Sequence, residues 1–294
     1  MLQELVYLRN SLRPDGGILP SSEASLSPRD RGFMFADGVY EVIRAYQGRL
    51  FHAREHLTRL QQSLDILRIP VSAASLETTM RELLKHNAPD SDATVYIQVT
   101  RGTCARRLSP PPEPLVPTVY IETSPLAADS TQSADGVSCI LVPDTRWQRC
   151  DIKWLGLLPN VLARQQADAA GVDEAVFVRD GVITEGTHTS VFAVSRGEVM
   201  THPLSTCLLA GITRQIVLSL CRQHAISVIE SPIPARDFVS MDEMFLTCTT
   251  GEVIPVRAVD SQTIGDGAPG PITRLLRQAF RSHVAEELAR TQSE

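Results

Sequence analysis

Apolar residues recur at steps of three and four along residues 51–68, FHAREHLTRLQQSLDILR. This spacing predicts an amphipathic helix, with Arg59 lying off the apolar face. Residues 74–87 repeat the pattern and predict a second helix, with Lys85 on its solvated side. The apolar face of the first helix comprises Leu57, Leu60, Leu64 and Leu67.

Apolar runs rich in β-branched residues predict strands in ATVYIQVT and TVYIET, on either side of the loop RGTCARRLSPPPEP. The segment that follows, TSPLAADSTQSADG, is small, polar and aperiodic, which is typical of a linker. We therefore predict a first domain over residues 1–122, a linker over 123–136 and a second domain over 137–294.

Two hairpins are predicted in the second domain, because AVFVRDGVITEG and VFAVSRGEVMTH each hold apolar runs around a turn that contains glycine. Helices are predicted in NVLARQQADAAG, in GITRQIVLSLCRQH and from Ile272 towards the end of the chain. Strands and helices mix in both domains, so the predicted fold class is α/β (α+β).

Charge and composition exclude several classes of function. A net charge of −6 without long basic runs argues against binding to nucleic acid. No apolar stretch is long enough to span a membrane. The six cysteines are scattered without a CxxC pair, so we predict no metal site and interpret them as reduced thiols of a cytoplasmic protein.

The candidate chemistry begins with a lysine. Lys85 and Lys153 are the two lysines among 28 basic residues, and Lys153 lies in the largely apolar run RCDIKWLGLLPN. Its ordinary interpretation is a solvated lysine at a strand edge or in a loop. The functional interpretation is an amine whose pKa is lowered by apolar surroundings, so that it attacks carbonyl groups.

An amine that acts on pyridoxal phosphate also needs a carboxylate for the pyridine nitrogen and a cradle for the phosphate. Glu185 follows a predicted strand in GVITEG and is either that carboxylate or an ordinary hairpin residue. The predicted helix start in LLAGITR and the hydroxyl pair in CTTG are suited to binding an anion. Ordinary helix capping and turn formation explain the same residues equally well. These candidate phosphate residues are Gly211, Ile212, Thr213, Thr249 and Thr250.

Taken in order, these segments resemble the fold-type IV pyridoxal-phosphate enzymes, and within them the D-amino-acid aminotransferases. The resemblance runs through RDRGFMFADGVYEV, GRLFHAREHLTRL, VYIQVTRGT, RWQRCDIKWLGLLPNVLARQQA, ITEGTHTSVFAV, LLAGITR and MDEMFLTCTTGEVIPV. It implies a small α/β domain, a larger domain with a barrel-like mixed sheet, pyridoxal 5'-phosphate as cofactor and a homodimer.

The resemblance also implies roles for individual residues. Lys153 matches the lysine that links to the cofactor and shuttles the proton, and Glu185 matches the partner of the pyridine nitrogen. Arg59 matches the phosphate-binding arginine, and Leu209 matches the apolar residue behind the ring. The remaining phosphate contacts are expected at Gly211, Ile212, Thr213, Thr249 and Thr250.

The substrate carboxylate is expected at Tyr40 and Arg106, where a planar guanidinium would bind both oxygens. Where the related enzymes place a histidine two residues beyond this arginine, the chain has Leu108. Carboxylate binding is therefore open to sharing with Arg107 or Arg44. Val42 and His188, the latter at the position of a serine in the relatives, complete the predicted substrate residues.

The implied activity is transfer of the amino group of D-amino acids such as D-alanine to 2-oxo acids such as 2-oxoglutarate. One alternative on the same scaffold is a branched-chain L-amino-acid aminotransferase or an (R)-amine transaminase. Another is a lyase of the aminodeoxychorismate type, and a third is a non-catalytic binding protein that retained the fold.

Overall fold

The computed structural model describes residues 4–126 and 135–290. The chain divides into two compact units. The first unit contains the chain up to residue 128 together with Ile152–Gly156, and the second contains the remainder. Each unit has its own sheet and its own apolar core.

The first unit is a six-stranded antiparallel sheet in the order β2-β1-β6-β5-β3-β4, with helices packed against it. Helix α2 packs on β3, and helix α3 packs on β1 and β6, around one apolar cluster. Its elements are β1 Leu5–Asn10, β2 Arg13–Pro20, α1 Arg31–Phe35, β3 Gly38–Tyr46, β4 Arg49–Leu50, α2 Ala53–Leu67, α3 Glu77–Asn87, β5 Ala93–Thr100 and β6 Thr118–Pro125, with 3-10 turns at Ser21–Glu23 and Ala73–Leu76.

The second unit is built on a sheet to which ten of its described strands belong. Its elements are β7 Val137–Pro143, α4 Leu158–Ala169, β8 Glu174–Arg179, β9 Val182–Gly186, β10 Ser190–Ser195, β11 Glu198–Thr201, α5 Ile212–Gln223, β12 Val228–Glu230, β13 Ile233–Pro234, β14 Glu243–Cys248, β15 Glu252–Val259, β16 Gln262–Thr263 and α6 Pro271–Arg290, with a 3-10 turn at Ala235–Ser240.

This second sheet closes on itself. The strands run β10-β14-β15-β7-β8-β9, and β9 pairs again with β10 where Glu185 faces Ser190. The β15–β7 and β7–β8 pairs are parallel, whereas the other pairs around the ring are antiparallel. The sheet is therefore mixed and barrel-like, which confirms the expected fold class.

The local predictions are confirmed for the main helices and hairpins. Strands β8 and β9 turn at Asp180 and Gly181, and β10 and β11 turn at Arg196 and Gly197. All four turn residues have positive φ, between 51° and 81°. Two consecutive positive φ values match the right-handed twist of hairpin strands, which explains why glycine ends both turns.

The structure differs from the predicted domain division in two places. Strand β6 continues to Pro125, so residues 123–125 of the predicted linker belong to the first sheet. Residues 127–134 of that linker lie outside the described residues. The segment Ile152–Gly156, expected in the second domain, belongs to the first unit.

No helix within residues 4–126 and 135–290 combines the length and the apolar character needed to cross a bilayer. All six cysteines lie in the described ranges, and each is a free thiol. Lys85 is exposed, as the helical pattern predicted.

The start of α6 depends on a buried carboxylate. Glu243 at the beginning of β14 is 6% exposed, and it accepts hydrogen bonds from the backbone N–H groups of Ile272 at 3.0 Å and Thr273 at 2.7 Å. We expect Glu243→Ala to lower the free energy of unfolding by about 1–3 kcal/mol, because two helix N–H groups lose their acceptor.

Chemical denaturation measures the effect of this cap. Glu286→Ala on the same helix is the matched control, since its ion pair with Arg290 is exposed and contributes below about 1 kcal/mol. Equal loss in both variants would contradict a capping role for Glu243.

Candidate active site

The backbone around Lys153 is held as an added strand segment against the start of β3. The Lys153 carbonyl accepts a hydrogen bond from Tyr40 N at 3.0 Å, and Trp154 forms a β-bridge with Val39. The Trp154 indole N–H donates to the Ala36 carbonyl. The position of Lys153 in the first unit is therefore fixed by backbone pairing with β3 at Lys153 and at Trp154.

The amine of Lys153 has aromatic and charged neighbours. Its Nζ lies 4.3 Å from the centre of the Tyr40 ring, and Tyr40 in turn contacts Tyr96 with ring centres 5.9 Å apart. The charge on Lys153 is also close enough to act on Glu41 and His56. The lysine is half-buried, and its surroundings combine an aromatic ring with charged groups, where the sequence indicated apolar surroundings alone.

A buried ion pair lies beside this lysine, between β3 and α2. The Glu41 carboxylate is fully buried and accepts bonds from Arg59 Nε at 3.0 Å and Nη2 at 2.7 Å. His56 Nδ1 lies 3.0 Å from the same carboxylate. The bidentate contact between Glu41 and Arg59 fixes the plane of the Arg59 guanidinium.

The protonation states in this cluster follow from burial and charge. Burial alone would raise the pKa of Glu41, but Arg59 and His56 outweigh it and hold that pKa well below its usual range. Burial lowers the pKa of His56, so its neutral imidazole donates from Nδ1 to Glu41 at neutral pH. The predicted role of Arg59 as a phosphate ligand stays a prediction, and sequence reasoning missed Glu41 and His56.

We expect Glu41→Gln to destabilise the protein by about 3–5 kcal/mol, because Arg59 loses its buried carboxylate partner. The pKa of Glu41 is depressed in the folded state, so its contribution is complete above about pH 4.3 and is lost as pH falls below that value. Unfolding measured between neutral and acid pH should therefore show a shallower acid loss in the variant.

The matched control is Glu77→Gln, which breaks an exposed Glu77–Arg81 pair on α3 of the same unit. It should change stability by less than about 1 kcal/mol. A Glu41→Gln variant as stable as this control would contradict the structural weight given to the buried pair.

The predicted substrate residues of β3 share one face of that strand. Tyr40, Val42 and Arg44 alternate with the buried Glu41 and Ile43. Arg44 forms an ion pair with Asp92 at 3.1 Å, and its guanidinium stacks on the Tyr46 ring at 4.1 Å. Arg44 follows Tyr40 by four positions along the extended strand, so the Cα atoms of the two residues lie about 13 Å apart.

The two candidate carboxylate arginines lie in the loop after β5. Arg106 and Arg107 are exposed, and the Arg106 guanidinium lies 5.2 Å from the centre of the Phe35 ring. The buried Arg31 holds this loop by donating to the carbonyl of Arg107 at 2.7 Å and to that of Leu108 at 2.8 Å. Sequence reasoning missed this anchor, although Arg31 lies in RDRGFMF.

Glu185 lies in the second unit at the closure of the barrel. One carboxylate oxygen pairs with the Arg146 guanidinium, and the other accepts the backbone N–H of Leu209 at 3.0 Å. Arg146 also binds Asp144 at 2.9 Å. Burial alone would lower the pKa of Arg146, but the Asp144 and Glu185 carboxylates outweigh it and raise that pKa.

Arg146 therefore keeps a permanent positive charge beside Glu185. Electrostatics of this kind favours the ionised carboxylate, as pairing with a protonated pyridine nitrogen would require. The sequence signal for Arg146 was present in RWQRCDIKW, but nothing in its spacing distinguished it from a surface arginine.

The candidate phosphate residues of α5 lie next to the same carboxylate. Leu209 bonds to Glu185, and two residues later Gly211 precedes α5 without a side-chain cap on the helix N–H groups. A Cβ atom on Gly211 would lie 2.7 Å from the Ser190 hydroxyl, so only glycine permits this approach. Thr213 is buried in the first turn of α5.

An unpaired hydroxyl on the same sheet face supports an anion or cofactor at this place. Ser190 pairs with Glu185 on one side and with Thr247 on the other, so the three side chains share a face. The Thr247 hydroxyl is buried and has no hydrogen-bond partner among the residues that the structure describes. Thr249 and Thr250 follow in the turn after β14.

These observations fit a group with an anionic end and a ring that carries a hydrogen-bond donor. An uncapped helix terminus, nearby hydroxyls and a charge-paired carboxylate occur together within the second unit. His188 is half-exposed, with Nδ1 near Thr187 Oγ1 at 3.1 Å and Glu174 Oε2 at 3.4 Å. Its predicted contact with substrate stays a prediction.

Comparison with known proteins gives consistent matches over most of the chain. The family model for amino-transferase class IV matches residues 38–259. D-alanine aminotransferase from Bacillus licheniformis is 41% identical over 94% of the chain and 98% of its own length. The D-alanine aminotransferase of Staphylococcus aureus strain N315 is 35% identical over 92% of the chain and 96% of its own.

Solved structures match with lower identity. The branched-chain amino acid aminotransferase of Escherichia coli superposes with a TM-score of 0.85 at 26% identity, over 95% of the chain and 94% of its own. The branched-chain aminotransferase of the thermophilic archaeon Thermoproteus uzoniensis, solved with norvaline, superposes with a TM-score of 0.83 at 27% identity. The match covers 95% of the chain and 94% of that enzyme.

Proposed function

The chain belongs to the class IV aminotransferase family, and on that premise we propose that it is a pyridoxal-phosphate-dependent D-amino-acid aminotransferase. The observation that carries the choice of substrate is the 41% identity with a D-alanine aminotransferase over nearly the whole of both chains. The branched-chain enzymes share the fold at 26% identity.

The proposed chemistry assigns a role to each candidate residue. Lys153 Nζ would be the group that takes up the proton of the α-carbon of the D-amino acid and holds it for return. When bound, pyridoxal phosphate supplies a carbonyl that takes up the amino group and a ring that accepts an electron pair. The Glu185 carboxylate, kept charged by Arg146, would hold the N–H of that ring.

The remaining residues bind and orient. The helix start at Gly211, Ile212 and Thr213 would hold the phosphate, together with Thr249, Thr250 and Arg59. Leu209 would pack behind the ring. Tyr40, Val42, Arg44, His188 and the arginine pair Arg106 and Arg107 would line the substrate side, with an arginine on the substrate carboxylate. The amino group then passes to a 2-oxo acid such as 2-oxoglutarate.

The absorption spectrum of the holoenzyme tests this function directly. D-alanine alone should convert the yellow protein to the colourless pyridoxamine form, and 2-oxoglutarate should restore the colour. Conversion by L-leucine alone would move the assignment to branched-chain L-amino acids, the alternative suggested by structural neighbours such as the branched-chain amino acid aminotransferase of Escherichia coli. D-alanine without a 2-oxo acid should give one pyruvate per active site and no more. Repeated turnover of an aminodeoxychorismate-type substrate to pyruvate, without a 2-oxo acid, would indicate a lyase.

We further propose that the protein acts in the cytoplasm as a homodimer. Six free thiols suit a reducing compartment. On α4, the residues Leu158, Val161 and Leu162 are 67%, 48% and 49% exposed. Neighbouring exposed apolar side chains of this kind are typical of a protein–protein interface. Light scattering should give twice the 32.2 kDa of one chain, and a mass of one chain would refute the dimer.

A further inference from the structure

A long loop carries the two candidate carboxylate arginines. Residues 101–117 join β5 to β6, and the structure describes all of them without a helix or a strand. The side chains of Arg106 and Arg107 are exposed in this loop. A guanidinium binds a carboxylate tightly only when it is held in place before the ligand arrives, so the residues that hold the loop matter for binding.

Both ends of the loop are tied to the segment that begins α1. The carbonyl of Gly102 accepts the backbone N–H of Arg31 at 2.9 Å, and Asp30 forms a β-bridge with Thr103. The Asp30 carboxylate is buried and accepts a hydrogen bond at 2.6 Å from the hydroxyl of Thr118, where β6 begins. The loop therefore starts and ends at fixed points of the first unit.

The Arg31 side chain holds the loop at the position of the two arginines. The residue is 4% exposed, and its Nη1 and Nη2 donate to the carbonyls of Arg107 at 2.7 Å and Leu108 at 2.8 Å. Its Nε donates to Asp37 at 2.6 Å. Two nitrogens of one planar fork thus bind adjacent carbonyls, which fixes the orientation of the main chain there.

Asp37 keeps this buried guanidinium in place. Its carboxylate also accepts hydrogen bonds from Arg101 Nε at 2.8 Å and Nη2 at 2.9 Å. Burial alone would raise the pKa of Asp37, but Arg101 and Arg31 outweigh it and lower that pKa. The charged carboxylate therefore offsets the cost of burying the Arg31 charge.

Phe35, at the end of α1, connects Arg31 with Arg106. The guanidinium carbon of Arg31 lies 5.0 Å from the centre of the Phe35 ring, and that of Arg106 lies 5.2 Å from it. A contact with the face of a ring orients a guanidinium and leaves its N–H groups available for a carboxylate. Arg31 thus acts on the main chain of the loop, and Phe35 acts on the Arg106 side chain.

We propose, on the basis of the proposed function, that Arg31 is a positioning residue for substrate binding. By fixing the main chain at residues 107 and 108, it presents the guanidinium groups of Arg106 and Arg107 to the substrate carboxylate, and Phe35 orients Arg106. The α-carboxylate is common to the amino donor and the 2-oxo acid, and it keeps its charge throughout the reaction. Loss of the anchor should therefore raise KM for both substrates and leave kcat almost unchanged.

Steady-state kinetics of the holoenzyme with D-alanine and 2-oxoglutarate tests the positioning role. Arg31→Gln should raise KM for both substrates at least about tenfold, because two charge-assisted hydrogen bonds to the loop are lost. Its kcat should change by less than about threefold. A fall in kcat with unchanged KM, or no change in either constant, would overturn the proposal.

Phe35→Leu is a second variant, which keeps the Arg31–Asp37 pair. Removing the ring should raise KM for both substrates about two- to fivefold at constant kcat. Arg81→Gln on α3 is the matched control, since its pair with Glu77 is exposed, and both constants should equal those of the unaltered protein. If Arg31→Gln does not fold, equal KM values in Phe35→Leu and in the control overturn the proposal.

Limited digestion with trypsin gives a readout that does not depend on the reaction. Trypsin cleaves after arginine, and the bond between Arg107 and Leu108 becomes accessible to it when the loop separates from Arg31. Arg31→Gln should be cut there at least about tenfold faster than the unaltered protein, with the fragments identified by mass spectrometry, and Arg81→Gln should be cut at the unaltered rate.

The two measurements separate the positioning role from the proposed function. Equal cleavage after Arg107 in Arg31→Gln and in the control would overturn the proposal, and so would faster cleavage with unchanged KM. Faster cleavage in Arg31→Gln together with an unaltered protein that does not convert D-alanine would support the anchor and refute the proposed function.

Discussion

Lys153→Ala should abolish transamination, with a fall in kcat of at least about 10⁴-fold. In the proposed function the amine would be both the covalent anchor of the cofactor and the group that moves the proton, and each contribution is worth orders of magnitude. Backbone pairing with Tyr40 and Val39 holds the segment, so the side chain is removed without a change in the main chain.

Lys85→Ala is the natural control, because Lys85 is the other lysine of the chain and is exposed on α3. Its kcat should equal that of the unaltered protein. Borohydride reduction of the holoenzyme gives a readout besides activity, since it should fix the cofactor to the peptide that contains Lys153. Label on the Lys85 peptide, or normal turnover in Lys153→Ala, would refute the assignment.

Glu185→Gln should lower kcat by about 10²–10³-fold, because it removes a fixed negative charge from a buried, preorganised site. The shape of the side chain is kept. The substitution removes the negative charge beside Arg146 and changes the group that accepts the backbone N–H of Leu209. Since the charge matters most while electrons move into the ring, we expect kcat to fall more than KM rises.

Glu198→Gln on β11 is the matched control, since that carboxylate is exposed and binds only a serine hydroxyl among its described contacts. Steady-state kinetics with D-alanine and 2-oxoglutarate compares the two variants. Cofactor content, measured by absorbance, shows whether Glu185→Gln still binds pyridoxal phosphate. A fully loaded Glu185→Gln enzyme with normal kcat would exclude Glu185 as the partner of the ring.

The local elements were predictable because their signals are local. Apolar residues at steps of three and four marked α2, and glycine in tight turns marked the hairpins at Asp180 and Arg196. The order of the motifs also indicated Lys153, Glu185 and the start of α5 as candidate site residues.

The supporting residues were not predictable, because their partners lie far away in sequence. Glu41 meets Arg59 across 18 positions, and Arg146 meets Glu185 across 39. Arg31 holds the carbonyl of Leu108 across 77 positions. In the sequence, each of these residues resembles an ordinary charged residue at a surface.

The sequence by itself determined the elements, the family and the candidate amine and carboxylate, since these depend on residue types and their spacing. Only the tertiary structure decided that Lys153 belongs to the first unit, that Glu185 lies where the barrel closes, and that Thr247 has an unpaired hydroxyl among the described residues. The physical reason is that burial and charge pairing act between side chains brought close by folding, whatever their separation along the chain.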